Sequence, residues 1–182
     1  MNLANAKTRI ELFSDAVIAI VITIAALEIP IPHNGNYHQF VGSLFTFAIS
    51  FFIVASYWSD HRNLFEKIEK INERVVFKNS CFLFSLVLIP VFTKWSMEAA
   101  DKKIPALAFG LLLMIINGMF SSLFLTGSSL IEQNDGRIGE LKKLYVRRDL
   151  VYYFSICLLM ITAFFVPQIT LFFFIGVPLA MF

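Results

Sequence analysis

Residues 9–29 read RIELFSDAVIAIVITIAALEI, and this stretch decides the fold. From residue 12 to residue 29 it is almost continuously apolar, and its only charged side chains are Asp15 and Glu28. A helix needs about 20 mostly apolar residues to cross the hydrocarbon core of a bilayer. The stretch therefore predicts a membrane-spanning helix, which stops at Pro30 and Pro32 because proline cannot continue a helical ladder.

Apolar runs of similar length follow along the chain. We predict a second span over residues 40–58, a third over about residues 75–95 and a fourth over residues 104–131. The third has Lys78 near one end, where its long stem can carry the charge to the membrane surface. Between the second and third spans, residues 61–74 are charged and mixed in sign, and we expect a solvated helical extension there.

The last apolar run has to be divided. Residues 150–182 contain 33 uncharged positions, and one helix over them would be about 50 Å long, which is too long for one crossing. Pro167 and Gln168 lie in the middle of the run. We therefore predict a fifth span over residues 150–166 and a sixth over residues 169–182, joined by a tight turn.

The composition agrees with an all-α, polytopic membrane protein. Of the 182 residues, 58% are hydrophobic and 15% are charged. In soluble domains about a quarter of the residues are charged. A net charge of +2 gives no reason to expect a nucleic-acid partner. Because neither a linker nor an internal repeat is visible, we expect one six-span domain over residues 1–182.

The sequence predicts neither an enzyme nor a resident cofactor or metal. Cys81 and Cys157 lie inside apolar runs at a spacing that fits no metal site, so they read as small buried residues. His33 and His38 fall in a short outer loop, where histidines are usually solvated, although the pair could bind a metal. No nucleophile–base pair occurs at membrane depth.

The basic residues set the orientation. Cytoplasmic loops of membrane proteins carry an excess of lysine and arginine. With the N-terminus inside, twelve basic residues lie on the cytoplasmic side and three lie outside, and the three outer ones are Lys94, Lys102 and Lys103. This bias, with an even number of spans, places both termini in the cytoplasm.

An acidic residue in the first span needs an explanation. In the simplest one, Ser14 caps the membrane helix and Asp15 lies in its first turn, where the positive helix end favours a carboxylate. In the alternative, Asp15 belongs to a polar network that anchors the helix, since a carboxylate at membrane depth needs partners. The residues expected at the same depth are Arg9, Phe13, Ser14, Asp15, Trp58, His61 and Asn79.

The motif R-x-x-x-F-S-D at residues 9–15, followed by an apolar helix and L-E-I at residues 27–29, resembles the signature of the bacterial branch of the transmembrane protein 175 family. These proteins are potassium channels related to the endosomal and lysosomal channel of animals. The resemblance covers the layout of all six spans, and its specific motif is confined to the first. Residues of the second and third spans also agree with it: Trp58, His61, Asn79, Pro90 and Thr93.

The resemblance implies a potassium channel of the bacterial inner membrane, assembled as a homotetramer around the first helix and surrounded by lipid. The family lacks a carbonyl-type selectivity filter, and no T-V-G-Y-G occurs in this chain. Bulky apolar residues close the family's pore, and the matching positions here are Ile20, Ile24 and Leu27. Thr23 matches a position linked to potassium selectivity, whereas Ala19 replaces a frequent serine near the constriction.

Helical geometry is consistent with this assignment. At 100° per residue, Ile20, Thr23, Ile24 and Leu27 fall within an arc of about 100° and form one stripe. Asp15 points about 140° away from Ile20, so we expect it to face the protein behind the pore. Glu28 lies at the outer end of the stripe, where a ring of carboxylates would raise the local cation concentration.

Other interpretations of the stripe remain open. An isoleucine and leucine stripe on a membrane helix commonly packs against other helices or lipid. A secondary transporter would have broken helices and ionisable groups around a cavity, and Pro90, Asn117 or Gly118 could break helices here. A non-conducting scaffold or accessory subunit is the remaining alternative.

Overall fold

The computed structural model describes residues 3–31, 37–68, 70–131, 138–166 and 173–174, and within these ranges the regular structure is entirely helical. The all-α prediction is confirmed. Six helices follow one another in the order α1 Leu3–Leu27, α2 Tyr37–Lys67, α3 Glu73–Leu86, α4 Ile89–Glu98, α5 Lys103–Ser128 and α6 Ile138–Phe165.

Among the described residues, five helical segments are long and apolar enough to cross a membrane. They are α1, α2, the combined α3 and α4, α5, and α6, so the chain is a multi-pass membrane protein. The predicted sixth span, residues 169–182, lies almost wholly outside the described residues. The fifth span begins earlier than predicted, because the apolar helix extends back to Lys142.

The third span is interrupted near its middle. α3 begins after Asn72, whose Oδ1 accepts a hydrogen bond from the Val75 backbone N–H at 2.9 Å. It ends at Leu86, and α4 starts at Ile89 with Pro90 in its first turn. Proline has no N–H to donate to the preceding turn and its ring crowds that turn, which accounts for the break.

The hydrophobic core is centred on α5, which packs against α2, α3, α4 and α6. α5 is the most buried of the five spans, and its fully buried side chains include Phe109, Phe120 and Leu113. The helix passes unbroken through Asn117 and Gly118. The positions that could have interrupted the fourth span therefore lie inside one continuous helix.

The segment between the second and third spans is less solvated than expected. α2 continues to Lys67, and its last turns bury His61, Leu64 and Phe65 while Arg62 and Glu66 stay exposed. The prediction of a solvated extension was right for one face of the helix only. The other face closes the end of the bundle.

α1 lies at the edge of the single chain. It packs on α2 and α3, and it is the least buried of the five spans. Ser14 and Ile18 are its buried residues, and Val17 and Ile22 pack against the core more loosely. The rest of the helix surface is left for contacts outside this chain.

Candidate functional site

The predicted pore positions form an exposed apolar stripe along α1. Ile20 is 57% exposed, Ile24 is 53% exposed and Leu27 is 80% exposed. Their exposure follows from the rotation of the helix, because Ser14 and Ile18 turn the opposite face toward α2 and α3. A membrane helix that leaves this face uncovered must place it against lipid, another copy of the chain or a water-filled passage.

Thr23 interrupts the apolar stripe with a hydroxyl group. Its Oγ1 donates to the carbonyl oxygen of Ala19, one turn earlier, at 2.8 Å. The hydroxyl proton is thus used inside the helix, and the lone pairs of Oγ1 remain available as acceptors. An exposed oxygen of this kind can contact a cation without leaving a polar hydrogen unpaired.

Asp15 connects α1 to α2 near the N-terminal end of the stripe. The indole Nε1 of Trp58 donates to Asp15 Oδ1 at 2.8 Å. The carboxylate is exposed in the single chain, but this bond holds it against the neighbouring helix. Asp15 therefore restrains the rotation of α1 and does not point along the Ile20 stripe.

A second set of hydrogen bonds lies beside this contact and is fully buried. Asn79 on α3 donates through Nδ2 to Ser14 Oγ at 2.9 Å, and Ser14 donates to the carbonyl oxygen of Ile10 at 2.8 Å. The Oδ1 of Asn79 lies 2.8 Å from Nε2 of His61. Since an amide oxygen can only accept, His61 Nε2 donates this bond.

The His61 ring is fixed by aromatic neighbours as well. It stacks on Phe65 at a centroid distance of 4.3 Å and on Phe82 at 5.9 Å. Such stacking adds to the area buried and limits how the ring can turn. Together these contacts fix the geometry of the Ser14–Asn79–His61 hydrogen bonds, which join α1, α2 and α3.

Two of the residues grouped with this network from sequence lie elsewhere. Arg9 and Phe13 are exposed on α1, outside the hydrogen-bonded chain as the structure describes it. Phe13 shares its face of the helix with Ile20 and Ile24, because seven or eleven residues bring it nearly to the same side. The five residues that the structure does bring together are Ser14, Asp15, Trp58, His61 and Asn79.

Glu28, expected at the outer end of the stripe, has a cationic partner. Lys94 Nζ on α4 lies 3.2 Å from Glu28 Oε2, and both side chains are partly exposed. The lysine offsets much of the negative charge that a free carboxylate would contribute. Lys94 is one of the three basic residues predicted on the outer side.

Comparison with known proteins relates the chain to one family. A family model described as the endosomal/lysosomal potassium channel TMEM175 matches residues 9–90, which include the stripe and all five hydrogen-bonded anchor residues. Over these residues the chain is similar to the TMEM175 family. This is a family of ion channels and not of enzymes.

Two bacterial potassium channels are similar to this chain, one of them over nearly its whole length. A potassium channel of Chryseobacterium sp. (strain P1-3) is 29% identical over 95% of this chain and 91% of its own length. A potassium channel of Streptomyces collinus (strain DSM 40733 / Tue 365) is 24% identical over 66% of this chain and 64% of its own. The sequence resemblance to the bacterial branch is therefore confirmed.

The fold is shared with a solved TMEM175 structure. The crystal structure of a lysosomal potassium-selective channel TMEM175 homolog from Chamaesiphon minutus superposes with a TM-score of 0.70 at 22% identity. The match covers 96% of this chain and 93% of the other. It establishes that this chain has the helical arrangement of that homolog.

A further polar cluster between α5 and α6 was missed from sequence. Asp149 is buried, and it accepts hydrogen bonds from Asn117 Nδ2 at 3.3 Å and from the Ser121 hydroxyl. The sequence feature that could have indicated this cluster is the spacing of Asn117 and Ser121, which lie four residues apart on one face of an apolar helix. Asp149 directly precedes the span that was predicted to begin at residue 150, whereas the structure places it inside α6.

Among the described residues, no group of three His, Cys, Asp or Glu side chains comes together as potential metal ligands. His38 is exposed at the start of α2, and His33 lies outside the described residues. Cys81 is half-buried and Cys157 is exposed, so only the first comes near the buried position expected from sequence.

Proposed function

We propose that this protein is a potassium-preferring channel of the bacterial cell membrane, in which a homotetramer surrounds a pore lined by α1. Both curated relatives are named potassium channels, and the solved homolog is described as potassium-selective. The proposal includes a sixth span over residues 169–182 and cytoplasmic termini, which the distribution of basic residues supports.

The uncovered face of α1 is the observation that carries this proposal. Exposed apolar residues also occur on α6, where contact with lipid explains them. The α1 face differs because it includes the Thr23 hydroxyl and ends at the Glu28–Lys94 pair. The direction in which this face points is also fixed, since the opposite side of α1 is hydrogen-bonded to two other helices.

In the proposed pore, Ile20, Ile24 and Leu27 form successive apolar rings that close the passage. A hydrophobic constriction stops ions by dewetting, because a narrow apolar tube does not hold a continuous water column. The pore opens when these side chains move apart and water becomes continuous. The proposed channel needs no cofactor, and potassium is the ion that it transports.

Thr23 gives the constriction a means to prefer potassium. An ion that passes a narrow apolar ring must lose part of its hydration shell, and potassium holds its water less tightly than sodium. The free lone pairs of the Thr23 oxygens replace part of that water next to Ile20 and Ile24. Ala19 carries no hydroxyl to assist on the neighbouring turn, so the preference rests on Thr23.

The hydrogen-bonded anchor holds α1 in position during this movement. Asp15, Ser14 and their partners lie on the side of the helix away from the stripe, so they position it without touching the ion. A polar network in a membrane is stable only if its members are paired, which the observed contacts provide.

The proposal is tested with purified protein in vesicles that are loaded with potassium or sodium. We expect passive potassium flux that exceeds sodium flux and does not depend on a proton gradient. Coupling to a proton gradient would support a transporter, and absence of flux under every voltage and pH would support a scaffold.

Ile20→Ala tests the pore assignment in the same vesicles. A smaller side chain widens the ring, so we expect higher flux or a lower preference for potassium. Ile161→Ala is the matched control, since Ile161 on α6 is 61% exposed and is not part of the stripe. Equal flux together with an equal preference for potassium in wild type and Ile20→Ala would contradict a pore lined by α1.

A further inference from the structure

A cavity of about 280 Å³ opens among α2, α5 and α6, away from the α1 stripe. It lies beside Lys67 at the end of α2, Ser128 at the end of α5 and Lys142 in the first turns of α6. The distribution of basic residues places these ends on the cytoplasmic side of the membrane. The volume is close to the lower limit for ligand pockets, about 300 Å³.

The lining of this cavity is divided into apolar and cationic parts. Leu64, Phe120 and Phe124 form apolar walls, and Lys67, Lys142 and Arg148 supply positive charge. Asp60 is the acidic residue among its described lining, and it is paired with Arg148 at 2.9 Å. The two lysines therefore give the cavity a positive charge that Asp60 does not offset.

The walls are rigid on the aromatic side. Tyr145 stacks on Phe124 with a centroid distance of 3.8 Å, and the Arg148 guanidinium lies 4.4 Å from the Tyr145 ring centre. The hydroxyl of Tyr145 is buried without a hydrogen-bond partner in the part of the chain that the structure describes. A cavity with fixed walls and cations at the membrane surface suits an anion with an apolar portion.

Leu144 connects the cavity to the exposed face of α6. It lines the cavity and is largely exposed, and Val151 and Leu158 follow it on the same face at intervals of seven residues. This exposed apolar strip continues into the membrane from the cationic end. An acyl chain can lie along it while a headgroup occupies the cavity.

We propose that this cavity binds the phosphate headgroup of an anionic phospholipid from the cytoplasmic leaflet. Lys67 and Lys142 hold the headgroup, and the apolar walls accept the glycerol and the upper acyl chain. Basic pockets between membrane helices on the cytoplasmic side are suited to such headgroups. The site is independent of ion conduction, so its test can fail while the proposed channel function stands.

The test measures lipid binding by native mass spectrometry of the purified full-length protein in neutral detergent. Phosphatidylglycerol and phosphatidylcholine with identical acyl chains are titrated separately. We expect tighter binding of phosphatidylglycerol, and about a ten-fold loss of that affinity in the double variant Lys67→Gln/Lys142→Gln, since each basic side chain strengthens contact with an anionic headgroup.

The matched control is Lys70→Gln/Lys143→Gln. It removes the same charge from the same side of the chain, and neither lysine lines the cavity. We expect wild-type affinity in this control and no displacement of phosphatidylglycerol by glycerol 3-phosphate. Equal losses in both double variants, no preference for phosphatidylglycerol, or displacement by the soluble phosphate would each overturn the proposal.

Discussion

Asn79 on α3 forms hydrogen bonds to both α1 and α2. Its amide donates to Ser14 on α1 and accepts from His61 on α2, and all three side chains are buried. An amide is suited to this place because it offers a donor and an acceptor at once. The orientation of α1, and with it the direction of the stripe, depends on this residue.

Asn79→Ala should therefore destabilise the protein by about 1 kcal/mol or more, since it removes the acceptor of the buried His61 N–H and the donor to Ser14 Oγ. The midpoint of thermal unfolding in detergent measures the loss. Ser80→Ala is the control, because Ser80 is exposed and its hydroxyl donates to the carbonyl oxygen of Val76 within its own helix. Equal midpoints for the two variants would contradict the anchoring role.

Lys94 controls the charge at the outer end of the stripe through Glu28. In Lys94→Gln the Glu28 carboxylate is no longer neutralised, and we expect higher potassium conductance at low ionic strength. The difference should shrink in about 1 M salt, where the Debye length is about 3 Å. Lys103→Gln removes an equal charge from the same side of the membrane and should change conductance less; similar gains in both would refute a specific Glu28 pair.

The sequence was sufficient to group Ser14, Asp15, Trp58, His61 and Asn79, because span boundaries place residues at a common depth. The depth of a residue does not give its direction around the helix axis, so the sequence could not show that Arg9 and Phe13 are exposed in the single chain. Asp149 was missed because its partners come from another helix. Such contacts depend on packing between α5 and α6 and leave little trace in either segment alone.

Among the helices, α5 is central because it has small residues where neighbours approach closely. A methyl group built on Gly110 would lie 2.8 Å from Met160 Cγ and 2.9 Å from Phe174 Cζ. Only glycine permits Met160 and Phe174 to approach this closely. The small residue thus allows both side chains to pack against α5.

Gly110→Ala should accordingly lower stability by about 1–3 kcal/mol, as overpacking of a tight core does. Chemical unfolding in mixed micelles gives the measurement. Gly42→Ala provides the control, because nothing lies within 4 Å of a methyl group there and alanine favours a helix. A Gly110→Ala variant as stable as Gly42→Ala would show that this helix contact is looser than described.

Five of the six predicted spans correspond to long apolar helices in the described residues, because hydropathy reports membrane crossing directly. The break between α3 and α4 was less predictable. Pro90 indicates an interruption, but whether the helix resumes in the same direction depends on packing against α2 and α5. The sixth span stays a prediction.

At the scale of the whole molecule, the described chain leaves one face of α1 uncovered. Its core lies around α5, while α1 has one bonded face and one uncovered apolar face. Assembly around α1 would cover the flanks of that face and leave its centre toward a shared axis. The proposed channel function requires this arrangement, and a lone chain has no pore.

The most direct test of that arrangement introduces a cysteine at the outer end of the stripe. The test then measures whether modification of its thiol blocks potassium flux. Leu27→Cys is made in a Cys81→Ala/Cys157→Ala background and treated from outside with a charged, water-soluble thiol reagent, with Ile161→Cys as the control. We predict that treatment reduces flux strongly in Leu27→Cys and leaves the control unchanged. Undiminished flux in a Leu27→Cys channel whose thiol is fully modified would contradict a pore lined by α1.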